Sequence, residues 1–354
     1  MKLKKLRELF YGLGIEGLLV TSQVNLQYMT GFTGSSGLAV ISEDRAVFIT
    51  DFRYTEQAKR QVVNGFEIIE HTGGMSATTV DVIKEMGLKK IGFEQDKMTY
   101  GMYANYKHAL GAVEFIPVSR SVERLRLIKS SEEIKILKEA AKIADAAFSH
   151  ILTVIKPGMT EISVANELEF YMRSQGADHS SFDMIVASGL RSSLPHGVAS
   201  SKIVEKGDFV TLDFGAYYKG YCSDITRTIA VGEPSDELKN IYQIVFEAQM
   251  IGMTNIKPGI SGKQADAYTR DHITSKGYGD YFGHSTGHGL GMEVHESPAL
   301  SVRSDQTLER GMVVTVEPGI YIPGTGGVRI EDDIVLTDKG NESLTHSAKH
   351  LIIL

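Results

Sequence analysis

The sequence has one cysteine, Cys222, in 354 residues, so an internal disulfide framework is excluded and a reducing, cytoplasmic setting is expected. It also lacks excess positive charge. A formal net charge of −7 argues against general affinity for nucleic acid or an anionic membrane. No apolar run approaches the roughly 20 residues of a membrane span. The first residues, MKLKKLRELFYGLG, are basic, but charges and glycines interrupt them before any signal-type hydrophobic region forms. Leu3, Leu6, Phe10 and Leu13 instead recur at helical spacing and predict an amphipathic first helix. The glycines of GFTGSSG (Gly31–Gly37) are not followed by a phosphate-binding lysine, so a tight interstrand loop is expected there. What remains is ordinary globular composition, 42% hydrophobic and 23% charged, in a chain long enough for two domains.

Residues 1–122 read as a small α/β domain. Apolar runs at Gly17–Thr21, Leu38–Ser42 and Ala46–Thr50 suit strands, and Tyr54–Val63 suits a helix. Asp51 and Arg53 read as a surface ion pair. Pro117–Glu133 is polar and carries a run of arginines and lysines, which suits a junction, with the second domain assigned to 123–354. Ser130 and Glu133 have the spacing of a capping box. An apolar stripe from Ile134 to Ile155 then predicts one long helix that Pro157 stops.

The remainder repeats itself. IKPGMTE at Ile155 returns as IKPGISG at Ile256, 101 residues later, and the helices that follow end near Gly176 and Gly277, again 101 apart. VEKGDFVTLDFGA (Val204–Ala216) matches LERGMVVTVEPGI (Leu308–Ile320) at an offset of 104, which places Asp213 on Glu317. Each of these carboxylates ends an apolar strand, and a second strand follows with Asp224 in one copy and Glu331 in the other, offset by 107. Duplicated halves facing one another would bring four carboxylates together. Four buried carboxylates repel and are costly to ionise unless cations lie between them. Two divalent ions balance four negative charges, and a neutral histidine supplies a nitrogen ligand. His288 is the candidate, in HSTGHGLGMEVHE (His284–Glu296), where interleaved glycines argue for extended chain closely approached by its neighbours, despite the helical i,i+4 spacing of His284 and His288. Asp213, Asp224, His288, Glu317 and Glu331 together thus point to a dinuclear site. Oxygen-rich ligation suits manganese first, with cobalt or zinc as alternatives.

Along its whole length the chain resembles the Xaa-Pro metallopeptidases of the pita-bread fold, prolidase and aminopeptidase P. The motifs that carry the resemblance are LPHG (Leu194–Gly197), LDFGA, SDITRT (Ser223–Thr228), HSTGHGLG, EVHE, EPGIY and VRIEDD. It implies an α+β chain: a pita-bread catalytic domain of two pseudo-repeats behind a smaller α/β N-terminal domain. It implies that the same five residues bind two metals, that His196, His284 and His295 line the site, and that Tyr321 and Arg329 stand in its outer shell. The implied reaction is metal-assisted attack of water on the carbonyl preceding proline. In it Glu317 shuttles the proton, His196 and His295 assist the oxyanion or hold substrate, and His284 walls the proline ring.

The expected substrates are short proline-containing peptides, with dipeptides ahead of the longer peptides of an aminopeptidase P. A dipeptidase must also recognise the substrate carboxylate, for which Arg329 and Arg53 are candidates. Methionine aminopeptidase shares the catalytic fold and ranks lower, because the N-terminal domain and the VHE segment suit proline specificity. A non-catalytic peptide-binding module and metal-free, creatinase-like hydrolysis rank lower still, because the ligand quintet is intact. Neither nucleic acid nor membrane is an expected partner, and the resemblance implies a homodimer.

Overall fold

The structure, a computed structural model, describes residues 2–354. Its chain divides into two units, Met1–Arg126 and Leu127–Leu354. In the first, the apolar runs form a six-stranded sheet in the order Glu67–Glu70, Ala46–Thr50, Leu38–Ser42, Gly17–Val20, Lys90–Glu94, Glu114–Val118. Three neighbouring inner strands, Ala46–Thr50, Leu38–Ser42 and Gly17–Val20, are buried along their length, so they read as unbroken hydrophobic runs without alternation. The N-terminal stripe folds as two short helices, Lys2–Arg7 and Phe10–Leu13, where one was expected. Leu9 N–H reaches back only three residues to the Leu6 carbonyl, tightening the turn that separates them. Leu6 and Phe10 are buried all the same, so the amphipathic reading holds while the continuity does not. Arg53 pairs with Asp51 at 2.8 Å, as expected, and Ser36 also donates to that carboxylate.

In the second unit the duplication is visible in the backbone. The helix Ser131–Ile151 starts on the Ser130–Glu133 capping box and is followed by Glu161–Ser174; the pair recurs as Asp236–Asn255 and Gly262–Ser275. The connections match bond for bond: Gly158 N–H donates to the Val204 carbonyl and Gly259 N–H to that of Leu308, while Glu161 N–H meets Lys202 and Gly262 N–H meets Gln306. Each helix pair packs on its own antiparallel sheet. One has the strand order Ile225–Val231, Asp208–Phe214, Ile185–Ser188; the other runs Glu296–Leu300, Gly287–Gly289, Val313–Val316, Asp332–Thr337, Gly340–Ser343. Phe148, Leu168 and Met172 close over the first sheet, and Ile256 and Ala265 over the second. The halves meet edge to edge, where Glu331 N–H donates to the Thr226 carbonyl and Thr228 Oγ1 to that of Arg329. Among the described residues no helix is long and apolar enough to cross a membrane.

Candidate metal centre

The seam between the half-sheets sets the position of every acidic side chain named above. Asp213 lies opposite Thr226 in the pairing of Asp208–Phe214 with Ile225–Val231, and Asp224 stands two residues before Thr226, on the same face. In the second half Val316 pairs with Asp332, so Glu317 and Glu331 are the next positions outward on their two strands. Asp213, Asp224 and Glu331 are all buried.

His288 arrives on the third side. The segment around it is a strand, Gly287–Gly289, paired with both Glu296–Leu300 and Val313–Val316. The flanking glycines follow from that double pairing. A Cβ on Gly287 would sit 2.0 Å from the Thr315 carbonyl oxygen, and one on Gly289 would sit 2.2 Å from that of Ser297. The expected close backbone approach is therefore found, and the i,i+4 histidines share no helix.

Electrostatics defines what this arrangement can hold. Burial pushes the Asp224 carboxyl well above the usual carboxylate range, and Glu331, Asp213, Asp333 and Glu317 push it further. Burial raises Glu331 and Glu317 too, against the opposing pull of Arg329. Asp213 Oδ1 and Asp224 Oδ1 are buried with no hydrogen-bond partner among the described residues. His288 sharpens the problem. Its Nδ1 lies 3.0 Å from the Gly289 carbonyl oxygen, which can only accept, so the ring proton is on Nδ1. The Nε2 lone pair then faces Glu317 Oε1 at 3.3 Å and Asp224 Oδ2 at 3.8 Å. Burial holds the imidazole pKa down, favouring this neutral form. A lone pair aimed at carboxylate oxygens and acids with orphaned oxygens are what divalent cations satisfy. Asp224, His288 and Glu331 offer ligand atoms within 4.8 Å of one another. The donor set therefore fits metal ions.

A chain of hydrogen bonds stiffens one flank. Arg329 donates to Asp213 Oδ2, to Thr226 Oγ1 at 3.0 Å, to the Pro195 carbonyl at 3.2 Å and to Tyr321 Oη at 2.7 Å. Tyr321 in turn donates to His284 Nε2 at 2.8 Å, because His284 Nδ1–H is engaged by the Ser285 carbonyl. Burial drives the Tyr321 hydroxyl up to about 12, so it remains a donor at neutral pH. His196 and His295 are exposed. The His295 ring centroid lies 4.3 Å from that of His288. With His284, His288, Glu317, Arg329 and Pro195, both line a cleft of about 250 Å³.

Three further residues belong to this assembly and were not singled out from the sequence. Thr226 Oγ1 donates to Glu331 Oε2 at 2.6 Å, Thr315 Oγ1 donates to Glu317 Oε1 at 3.1 Å, and Asp333 accepts the Asp224 backbone N–H at 2.9 Å. For the threonines a signal was present. Each sits two residues from a candidate ligand on a strand, and therefore on the same face.

Comparison with known proteins agrees with this geometry. Residues 135–338 match the model of metallopeptidase family M24, and residues 2–128 match the creatinase/prolidase N-terminal domain. An uncharacterised peptidase of Bacillus subtilis is 74% identical, with the whole of both chains covered. The structure of a protein described as Xaa-Pro dipeptidase from Bacillus anthracis superposes with a TM-score of 0.98 at 64% identity, covering 100% of this chain and 99% of that one. One described as X-Pro aminopeptidase from Thermotoga maritima superposes with a TM-score of 0.91 at 42% identity, covering 97% and 99%. Fold and site thus define a metal-dependent peptidase of two domains, a small α/β unit ahead of an α+β pita-bread unit built from two pseudo-repeats. The chain belongs to metallopeptidase family M24.

Proposed function

We propose that this chain is a manganese-loaded Xaa-Pro dipeptidase, with Asp213, Asp224, His288, Glu317 and Glu331 holding two ions. The observation that carries the reading is the neutral His288 Nε2, turned towards Glu317 and Asp224 among buried acids raised by desolvation. When bound, the two ions supply Lewis-acid polarisation of the scissile carbonyl and acidify an attacking water. Glu317 is the proton carrier. It is ionisable, reachable from the cleft, and held by Thr315 so that one oxygen stays fixed as the other takes a proton and passes it to the leaving imide nitrogen. His196 and His295, exposed at the cleft, donate to the developing oxyanion. His284, fixed in one tautomer by Ser285 and Tyr321, walls the proline ring. Arg329 neutralises Asp213 and sets the carboxylate's orientation.

A cleft of about 250 Å³ falls just below the usual span of ligand pockets, which run from roughly 300 Å³ upward, and this favours a dipeptide. One observation favours the second reading, release of the first residue from longer Xaa-Pro peptides. Arg329 directs its donors into the wall of the site, so a dipeptide carboxylate would need another cation. We further propose a cytoplasmic homodimer whose N-terminal domain spans 1–122.

Manganese-loaded protein should cleave an Xaa-Pro dipeptide, and the Asp213→Asn variant should not. Efficient cleavage of an Xaa-Pro-Yaa tripeptide with the dipeptide untouched would replace the first reading by the second. Metal-dependent cleavage of neither would refute both.

A further inference from the structure

His284 hangs on a loop between the helix Gly262–Ser275 and the strand Gly287–Gly289, and loops hold side chains less firmly than strands do. This one is tied down from the helix. Asp266 and Arg270 are one helical turn apart and form a two-pronged ion pair: Nε to Oδ2 at 2.6 Å and Nη2 to Oδ1 at 2.8 Å. Asp266 is 1% exposed. The guanidinium then reaches across to the loop, where Nη1 donates to the Phe282 carbonyl at 2.8 Å and Nη2 to that of His284 at 2.7 Å. Its Cζ also lies 4.3 Å from the centre of the Phe282 ring, which meets the His284 ring edge-on at 5.0 Å. Asp266 Oδ1 completes the clamp by accepting the Thr286 N–H at 3.0 Å. The backbone is thereby held at residues 282, 284 and 286, on both sides of the histidine.

We propose that the Asp266–Arg270 pair is the positioning device for His284, fixing from outside the cleft the angle at which its imidazole meets the substrate. The inference rests on the reading of His284 as a wall of the substrate site. Arginine is required because one planar cation must meet a carboxylate and two carbonyls at once. Lysine keeps the charge beside Asp266 but has one nitrogen to share among them.

The test is a double-mutant cycle on manganese-loaded protein with an Xaa-Pro dipeptide, using Arg270→Lys, His284→Ala and the double variant, with Arg270→Gln as a second probe of the same position. Displacement of a group by about 1 Å can cut turnover about 100-fold, so Arg270→Lys should lower kcat/KM by about tenfold or more, with bound manganese and thermal midpoint little changed. In the His284→Ala background the same substitution should lower it less than twofold, because the group it positions is gone. An equal loss in both backgrounds, or no loss from either Arg270 variant with His284 present, overturns the proposal while leaving the role of His284 standing. Wild-type kcat/KM in His284→Ala alone overturns it differently, by removing the role of His284 itself.

Discussion

Replacing Thr226 by valine removes one buried hydroxyl and almost no volume, which makes it a clean probe of the metal centre. Thr226 is fully buried, and its Oγ1 stands between opposite charges: it donates to Glu331 Oε2 at 2.6 Å and accepts from Arg329 Nε at 3.0 Å. Valine keeps the branched shape but leaves Glu331 free to rotate and an arginine N–H buried without its acceptor. A hydrogen bond to a charged group contributes about 1.5–3 kcal/mol, and each 1.4 kcal/mol is about tenfold in an equilibrium constant. Metal affinity should therefore fall by about 10–100-fold, the range found when groups that orient metal ligands are removed. The assay is competition for manganese between the protein and a chelating indicator, with folding checked by circular dichroism. Serine at the same position keeps the hydroxyl and should restore most of the affinity. A folded valine variant that binds manganese within twofold of wild type would refute the view that this hydroxyl orients Glu331.

Two other outcomes follow from the same geometry. Asp224, Glu331 and Glu317 have pKa values raised by burial, so in metal-free protein they retain protons that metal must displace, and apparent affinity should climb with pH. For these acids the folded value exceeds the unfolded one, so the stability they lend the metal-free fold is complete below about pH 4 and is lost as pH rises through the raised values. Calorimetric titration in two buffers of different ionisation enthalpy should show net proton release near neutral pH; identical heats would contradict it. Gly287→Ala should lose metal binding and activity together, because its Cβ would lie 2.0 Å from the Thr315 carbonyl oxygen and force apart the strands that place His288 against Glu317. Normal manganese binding by that variant would contradict the pairing described.

The duplication was legible because it left its mark on residue types that cannot drift freely: the prolines and glycines of the two IKPG turns and the acids that end apolar strands. The glycines around His288 were legible for the same reason, since a side chain there has nowhere to go. Less legible were charges whose burial depends on distant partners. Lys129, in a stretch that reads as a polar junction, is 5% exposed and pairs with Glu296 at 3.1 Å, 167 residues away. Arg270, with Asp266 on the same helix, reads locally as an ordinary i,i+4 surface pair, and only the returning loop turns it inward. Periodicity reports which face of an element is apolar; it carries no information about which polar group will meet another chain segment.

The growth of the repeat offset from 104 at Asp213/Glu317 to 107 at Asp224/Glu331 records where the symmetry breaks. Between Phe214 and Ile225 the first half makes a short excursion through the strands Ala216–Tyr218 and Tyr221–Cys222. Between Val316 and Asp332 the second half makes a longer one, the hairpin of Gly319–Ile322 with Gly326–Arg329. That longer hairpin carries Tyr321 and Arg329 to the cleft, where they reach Asp213 and His284; at offsets of 104 and 107 their counterparts in the first half are Tyr217 and Cys222. On the second strand of the first-half excursion, Tyr221 donates to Glu133 on the opening helix at 2.8 Å. Two metal ions can be held by nearly symmetric acids, whereas a peptide has two different ends and must be bound in one direction. In the proposed site the matching acids of the two halves are the ligands, and the longer hairpin of the second half gives the cleft a flank with a single polarity. On that argument, shortening the Gly319–Arg329 hairpin to the length of its counterpart should damage substrate discrimination and turnover more than metal occupancy. Loss of both metals on shortening would place the hairpin within the metal centre itself.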